Sequence, residues 1–201
     1  ILLLLAMGIS LAVLATLFVD VFSTGSGVYS ERAEDFLSGG LRTSAATAGV
    51  FQVLRGTLWI GVFVAVFSFP IGVASALYLE EYSSKGRFAR FLNVNIRNLA
   101  GVPSIVYGIL GLTLFVQNFK GLTGGRTLMS AGITLAILVL PIVIITASEA
   151  VRAVPQALRE AAYGVGATRW EVTRGQVLPY AMPGIITGTV RDCYWTLGVV
   201  H

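Results

Sequence analysis

Long apolar blocks alternate along this chain with shorter segments in which polar and apolar positions follow helical spacing. A helix that crosses the hydrocarbon layer needs about 20 mostly apolar residues. Residues 1–19, 57–79, 99–119, 128–147 and 182–200 meet that requirement, the last weakened by Arg191 and Asp192. Pro70, Pro103 and Pro141 fall inside spans, where neighbouring helices re-satisfy the carbonyls that proline frees. Pro70 and Pro141 read as simple kinks. Residues 1–19 lack a basic leader and an A-x-A cleavage pattern, so a first membrane helix is expected there rather than a signal peptide. The chain is already apolar at Ile1 and has no initiating methionine, so a fragment missing its start is expected.

Composition sharpens this picture. Of 201 residues, 55% are hydrophobic and 12% charged, with a mean hydropathy of +0.80; a soluble domain carries about 25% charged residues. The net charge of +4 matters less than its placement. Lys85, Arg87, Arg90 and Arg97 crowd the segment after the second span, and Arg152, Arg159, Arg169 and Arg174 the segment after the fourth. Residues 20–55 hold Arg32, Arg42 and Arg55 over a longer stretch, and the loop after the third span has Lys120 and Arg126. Basic-rich short loops stay in the cytoplasm. Both dense loops and the N-terminus are therefore expected inside, and 20–55 is expected to be an external loop. Five spans would leave the C-terminus outside, and a sixth is expected.

The residue inventory excludes several chemistries. There is no G-x-x-x-x-G-K-[ST] loop; the nearest run, GLTGGRT, has Arg126 in place of the lysine and falls on the external side. There is no G-x-S-x-G elbow and no H-E-x-x-H. Cys193 is the only cysteine and His201 the only histidine, so neither an intrachain disulfide nor a cysteine-based metal cage can form. The chain is read as a non-enzyme with no catalytic residue, metal, cofactor or nucleic-acid partner of its own. If it does work, a partner supplies the energy.

The segment between the fourth and fifth blocks, EAVRAVPQALREAAYGVGATRWEVTRGQVLP, is more patterned than a connection requires. Pro155 suits the start of a helix, where its missing N–H has no acceptor. Leu158, Ala161, Ala162 and Val165 fall at i, i+3, i+4 and i+7 on one stripe. Gly166 stands where a left-handed cap residue belongs, and Thr168 with Glu171 forms a T-x-x-E capping box. Trp170 and Val177 share a face of the second helix, with Arg169, Glu171 and Arg174 left for solvent or a partner. Leu178-Pro179 is expected to stop it, because proline disfavours helix at the preceding residue. A solvated loop, an amphipathic pair lying on the bilayer and a docking element for a cytoplasmic protein are all compatible with this pattern.

These residues resemble the EAA motif of ATP-binding-cassette importer permeases, E-A-A-x-x-x-G followed by an apolar-x-L-P ending. The matches are Glu160, Ala161, Ala162, Gly166, Leu178 and Pro179; Gln176 occupies a site that is usually apolar. The resemblance implies an all-α, polytopic helix bundle of the type I, MetI-like permease class, with five spans visible of six. Residues 1–201 would form one permease domain, with 148–181 as a cytoplasmic coupling loop seated in a groove of the ATPase. Thr168, Arg169 and Trp170 join the coupling set.

The third span opens with NLAGVPSIVYGILGL. Gly101, Ser104, Gly108 and Gly111 place small residues along a helix, which allows close approach of a neighbour. The string looks like the phosphate-uptake permeases of the Pst system, more like the A-type subunit than its C-type partner, as do ALYLEEY and the run from Gly49 to Leu58. That resemblance implies a bacterial inner-membrane, multi-pass subunit. Its partners would be a C-type permease, two ATPase subunits that bind ATP-Mg, and an external phosphate-binding protein. Gly101, Pro103, Ser104 and Tyr107 would stand near the translocation path; an interfacial anchor is the other reading of Tyr107. A permease for molybdate, sulfate or an amino acid, and a non-transporting membrane scaffold, are the alternatives.

The resemblance breaks after Val190. The middle spans offer no Arg or Lys, and the family's R-A-I-G-E-T run, with its intramembrane Arg and Glu, is replaced by RDCYWTLGVVH. Thr196 and Val200 stand where those charges belong. A frame slip or artificial cut is expected for the tail, and a chain with this tail is expected to insert without transporting.

Overall fold

The computed structural model describes residues 2–42, 44, 47–83 and 86–198. Ile1, Lys85, Val200 and His201 lie outside the described residues. The chain divides into two compact units, residues 1–58 and 59–201.

In the first unit, α1 (Leu2–Ser38) carries a non-helical break at Arg32 (φ −145°, ψ 33°). Its apolar portion, Leu2–Gly27, is long enough to cross a membrane. Most of the expected 20–55 loop is therefore helix. Polarity ends a span but not a helix, and the serines here do not compete with the backbone ladder. Ser23, Ser26 and Ser38 each return a hydroxyl to a carbonyl three or four residues back, at 3.0, 2.8 and 2.6 Å. The connection itself is short. It is closed by Val50 N–H donating to Phe36 O at 2.8 Å and Gly49 N–H to Gly40 O at 3.0 Å, and α2 (Phe51–Leu77) starts directly after it.

In the second unit the helices pack around α6 (Leu128–Arg152). Glycines set the spacing. A Cβ on Gly72 would meet Val143 Cγ1 at 2.6 Å, and one on Gly132 would meet Phe63 Cδ1 at 2.6 Å. Gly111 abuts Thr134 in the same way, whereas Gly101 and Gly108 face no neighbouring helix. Only one glycine of the third-span stripe therefore serves close packing. Ser68, on α2, adds a buried hydroxyl bond to Ala136 O at 2.8 Å. The tightest core lies at one end, where Val73 and Ala76 meet Ala147, Val151, Val154, Val172, Val177, Ala181 and Ile185.

The third expected span is bent. α3 (Arg87–Ala100) and α4 (Ser104–Gly111), the latter continued by a wide i→i+5 stretch over Leu112–Asn118, meet at 92°. Leu99 thus ends one helix rather than opening the span, because Pro103 has no N–H to continue α3 and holds ψ at 136°. α5 (Lys120–Thr123) is a single turn before α6.

The second correction concerns Leu178-Pro179. α7 (Gln156–Gly164) is followed by α8 (Arg169–Val172), a wide turn over Thr173–Val177, and α9 (Leu178–Gly198), with no stop at Pro179. The wide turn, closed by Leu178 N–H to Thr173 O, absorbs the proline. α9 is long enough to span but is not among the helices apolar enough to do so. Among the described residues those are Leu2–Gly27, Phe51–Tyr82 and Leu128–Arg152, with the bent α3–α4 pair as a fourth.

Candidate functional site

The strongest site candidate is the corner between α7 and α8 and its anchorage to the rest of the second unit. α7 ends in two crossed backbone bonds, Gly166 N–H to Tyr163 O at 2.9 Å and Ala167 N–H to Ala162 O at 3.1 Å. This is the double bond of a Schellman cap, and Gly166 supplies the left-handed φ of +85° that it requires. Thr168 starts α8 immediately. Its Oγ1 accepts from Glu171 N–H at 3.4 Å, and the Glu171 carboxylate accepts from Thr168 N–H at 2.7 Å and Thr168 Oγ1 at 2.8 Å. Those two bonds from Thr168 to the ionised form hold the Glu171 carboxyl below the usual glutamate range. Two caps placed back to back leave the corner little freedom.

One side of the corner faces inward. Leu158, Ala162 and Ala167 pack against the core formed by Val154, Val172 and Val177. The other side is bare. Glu160, Ala161, Gly166, Thr168 and Arg169 are exposed, Val165 is 86% exposed and Trp170 61%. The four-residue stripe read from the sequence is thus split, with Leu158 and Ala162 inside and Ala161 and Val165 outside. Trp170 and Val177 also part company, since Val177 is fully buried. The wide turn inserts about one extra residue into the repeat, which rotates the register by roughly 100°. Val172 and Val177, five apart, share the inner face instead, followed by Ala181 and Ile185. Leu178 is half-buried and Pro179 exposed; both belong to the long helix rather than to the corner.

Two ion pairs tie this region to the end of α2, where a wide turn over Tyr78–Tyr82 carries Glu80 and Glu81. Arg159, on α7, donates through Nη2 to Glu81 Oε1 at 2.8 Å and through Nε to the same oxygen at 3.1 Å. It also donates to Val154 O at 2.6 Å and Val151 O at 2.9 Å, so one guanidinium caps α6, orients α7 and holds α2. Both side chains are nearly sequestered, at 12% and 9% exposure. Arg152 grips both oxygens of Glu80, at 2.8 and 2.7 Å, but is 51% exposed. In the sequence, Arg152 and Arg159 stand out only as loop charge and the two glutamates only within the family-like string ALYLEEY. Their pairing spans 72 and 78 residues and leaves no local signal.

The residues read as path-lining gather at the α3–α4 elbow. Gly101 and Pro103 form its bend, Ser104 opens α4, and Tyr107 is buried with its hydroxyl donating to Leu99 O at 3.0 Å. That phenol adds a second bond to a carbonyl that already accepts from Val102 N–H at 3.1 Å.

Comparison with known proteins bears on the family and the fold. Residues 68–198 match the family model described as the binding-protein-dependent transport system inner membrane component. The Probable ABC transporter permease protein YqgI of Bacillus subtilis is 31% identical over 91% of this chain and 62% of its own length. The phosphate transport system permease protein PstA 1 of Mycobacterium tuberculosis is 36% identical over 75% of this chain and 47% of its own length. PstC 2 of the same organism is 32% identical over 94% and 66%. The chain therefore spans about half to two thirds of these relatives. Among solved structures, an inward-facing form of the MetNI methionine ABC transporter superposes with a TM-score of 0.57 at 23% identity, over 75% of this chain and 68% of that one; this likeness concerns the fold alone. With its several apolar helices and a match covering most of the second unit, the chain is a multi-pass membrane protein belonging to the family of binding-protein-dependent transport system inner membrane components.

Proposed function

We propose that this chain is the membrane-spanning subunit of an ATP-driven phosphate importer, coupled to a separate ATPase through the α7–α8 corner. The observation that carries the reading is the corner itself. A doubly capped bend presents Glu160, Ala161, Val165 and Trp170 outward while Arg159 pins its inner side to α2 and α6. An exposed tryptophan on rigid backbone is the residue type that most often anchors a docking hot spot. Movement imposed on α7 passes through Arg159 to Glu81, and through Val172 and Val177 to α9.

The likeness to both PstA and PstC relatives, together with the span-three string, supports phosphate as the solute. In this reading the coupling loop and N-terminus face the cytoplasm of a bacterial inner membrane, and two ATPase subunits bind ATP-Mg. A C-type permease completes the channel, an external binding protein delivers phosphate to it, and Gly101, Pro103, Ser104 and Tyr107 stand near the translocation path. The test is ATPase stimulation in a complex reconstituted with the neighbouring permease and ATPase. Loaded phosphate-binding protein should stimulate it, and binding proteins loaded with molybdate, sulfate or amino acids should not. Stimulation by one of the latter alone would overturn the phosphate assignment while leaving the coupling role intact.

A further inference from the structure

The elbow leaves α3 lying at 92° to the helix that follows it, and its surface is sorted into three faces. Ala89, Leu92, Asn93, Ile96 and Ala100 are half-buried, on the side that packs against α6. Phe88 and Leu99 share a second face, with Phe91 beside it, and Phe88 and Phe91 are 68% and 63% exposed. Arg90 and Arg97 lie on a third face, on the opposite flank from Phe88. The segment RFARFLNVNIRNLA contains no Asp or Glu. We propose that α3 is an interfacial helix, with Phe88, Phe91 and Leu99 sunk among lipid chains and Arg87, Arg90 and Arg97 held at anionic headgroups.

Three features favour lipid over a protein as the occupant. α4 and its continuation, Ser104–Asn118, can extend at most about 22 Å at 1.5 Å per residue, against a hydrocarbon layer of about 30 Å. The elbow is therefore drawn some 5–10 Å inward, the depth at which amphipathic helices seat their apolar face. Only two residues and Pro103 separate α3 from this span, so α3 cannot leave the boundary. The apolar face is also interrupted by Asn95 and Asn98, and it is flanked by Arg87, Arg90 and Arg97, none of them ion-paired among the described residues. That suits headgroups, each basic residue adding about 1 kcal/mol near an anionic surface, and it does not suit a dry protein interface. The proposal depends on neither the solute nor the ATPase.

Spin-label accessibility in the full chain tests it. In a Cys193→Ser background, Phe88→Cys, Phe91→Cys and Arg90→Cys are labelled in vesicles of phosphatidylethanolamine with phosphatidylglycerol. Labels at 88 and 91 should be relaxed by oxygen more than by a nickel chelate, at a depth of about 5–10 Å, and the label at 90 should show the reverse. Replacing phosphatidylglycerol by phosphatidylcholine should make the first two labels shallower. Nickel access at 88 and 91 would place the helix in water. Closure to both reagents would mean that protein covers it, whether a partner or a second copy, and an unchanged depth without anionic lipid would remove the role of the arginines; each outcome overturns the proposal. If a cysteine variant fails to insert, the added fluorescence of Phe91→Trp and its quenching by shallow-brominated lipid read the same depth.

Discussion

Arg159 and Glu81 meet at 2.8 Å across 78 residues of chain, and the same guanidinium donates to Val151 O in the last turn of α6 and to Val154 O just past it. Removing one partner of a nearly buried pair leaves an uncompensated charge, at a cost on the order of 3–5 kcal/mol. Arg159→Ala should therefore lower the thermal midpoint of the purified protein markedly. Arg159→Lys should recover only part of the loss, since an ammonium cannot reproduce the planar fork. Arg152→Ala, at a half-exposed pair, should cost no more than about 1 kcal/mol. Thermal unfolding in detergent reads all three, and equal losses for Arg159 and Arg152 would contradict the ranking.

Gly166 is a purely conformational position, because a Cβ there meets no atom within 4 Å. Gly166→Ala should then destabilise the corner by about 1–2 kcal/mol through its left-handed φ alone. Gly166→Asn should lose less, since asparagine tolerates that region. Protection of the Ala167 amide in hydrogen exchange is the readout; equal behaviour of the two variants would point to a steric role instead.

Trp170 and Val165 are 61% and 86% exposed, and neither belongs to the buried core of the corner. Trp170→Ala should leave the unfolding midpoint unchanged and weaken ATPase attachment by roughly 30-fold, the equivalent of about 2 kcal/mol. Co-purification and titration with the partner ATPase measure this. A full-strength complex would remove the docking role.

The capping box titrates in a stated direction. The Glu171 carboxyl lies below its ordinary value in the folded chain, so its stabilisation of the corner is complete above the unfolded glutamate range near about 4.3. That contribution is lost as pH falls through the lower folded value. Glu171→Gln should flatten this dependence while keeping part of the cap. Helix content at the corner, followed by exchange between pH 6 and 3, would reveal a missing effect.

Much of the corner was legible because its signals are local. The left-handed glycine, the T-x-x-E box and the proline preceding α7 act within a few residues, so Gly166, Thr168 and Glu171 stand where spacing placed them. The apolar blocks were equally legible, because spanning demands length and composition without reference to neighbours.

What sequence periodicity could not reveal depends on partners distant in the chain. The pairing of Glu80 and Glu81 with Arg152 and Arg159 required the helices to be assembled around α6. The wide turn over Thr173–Val177 let Pro179 sit inside a helix and moved Trp170 away from Val177. Propensity and capping choose local geometry over a few residues, and the amino-acid order alone decided that much here. Register, burial and charge pairing were decided by which surfaces could pack at glycine-set distances, and only the tertiary structure carries that information.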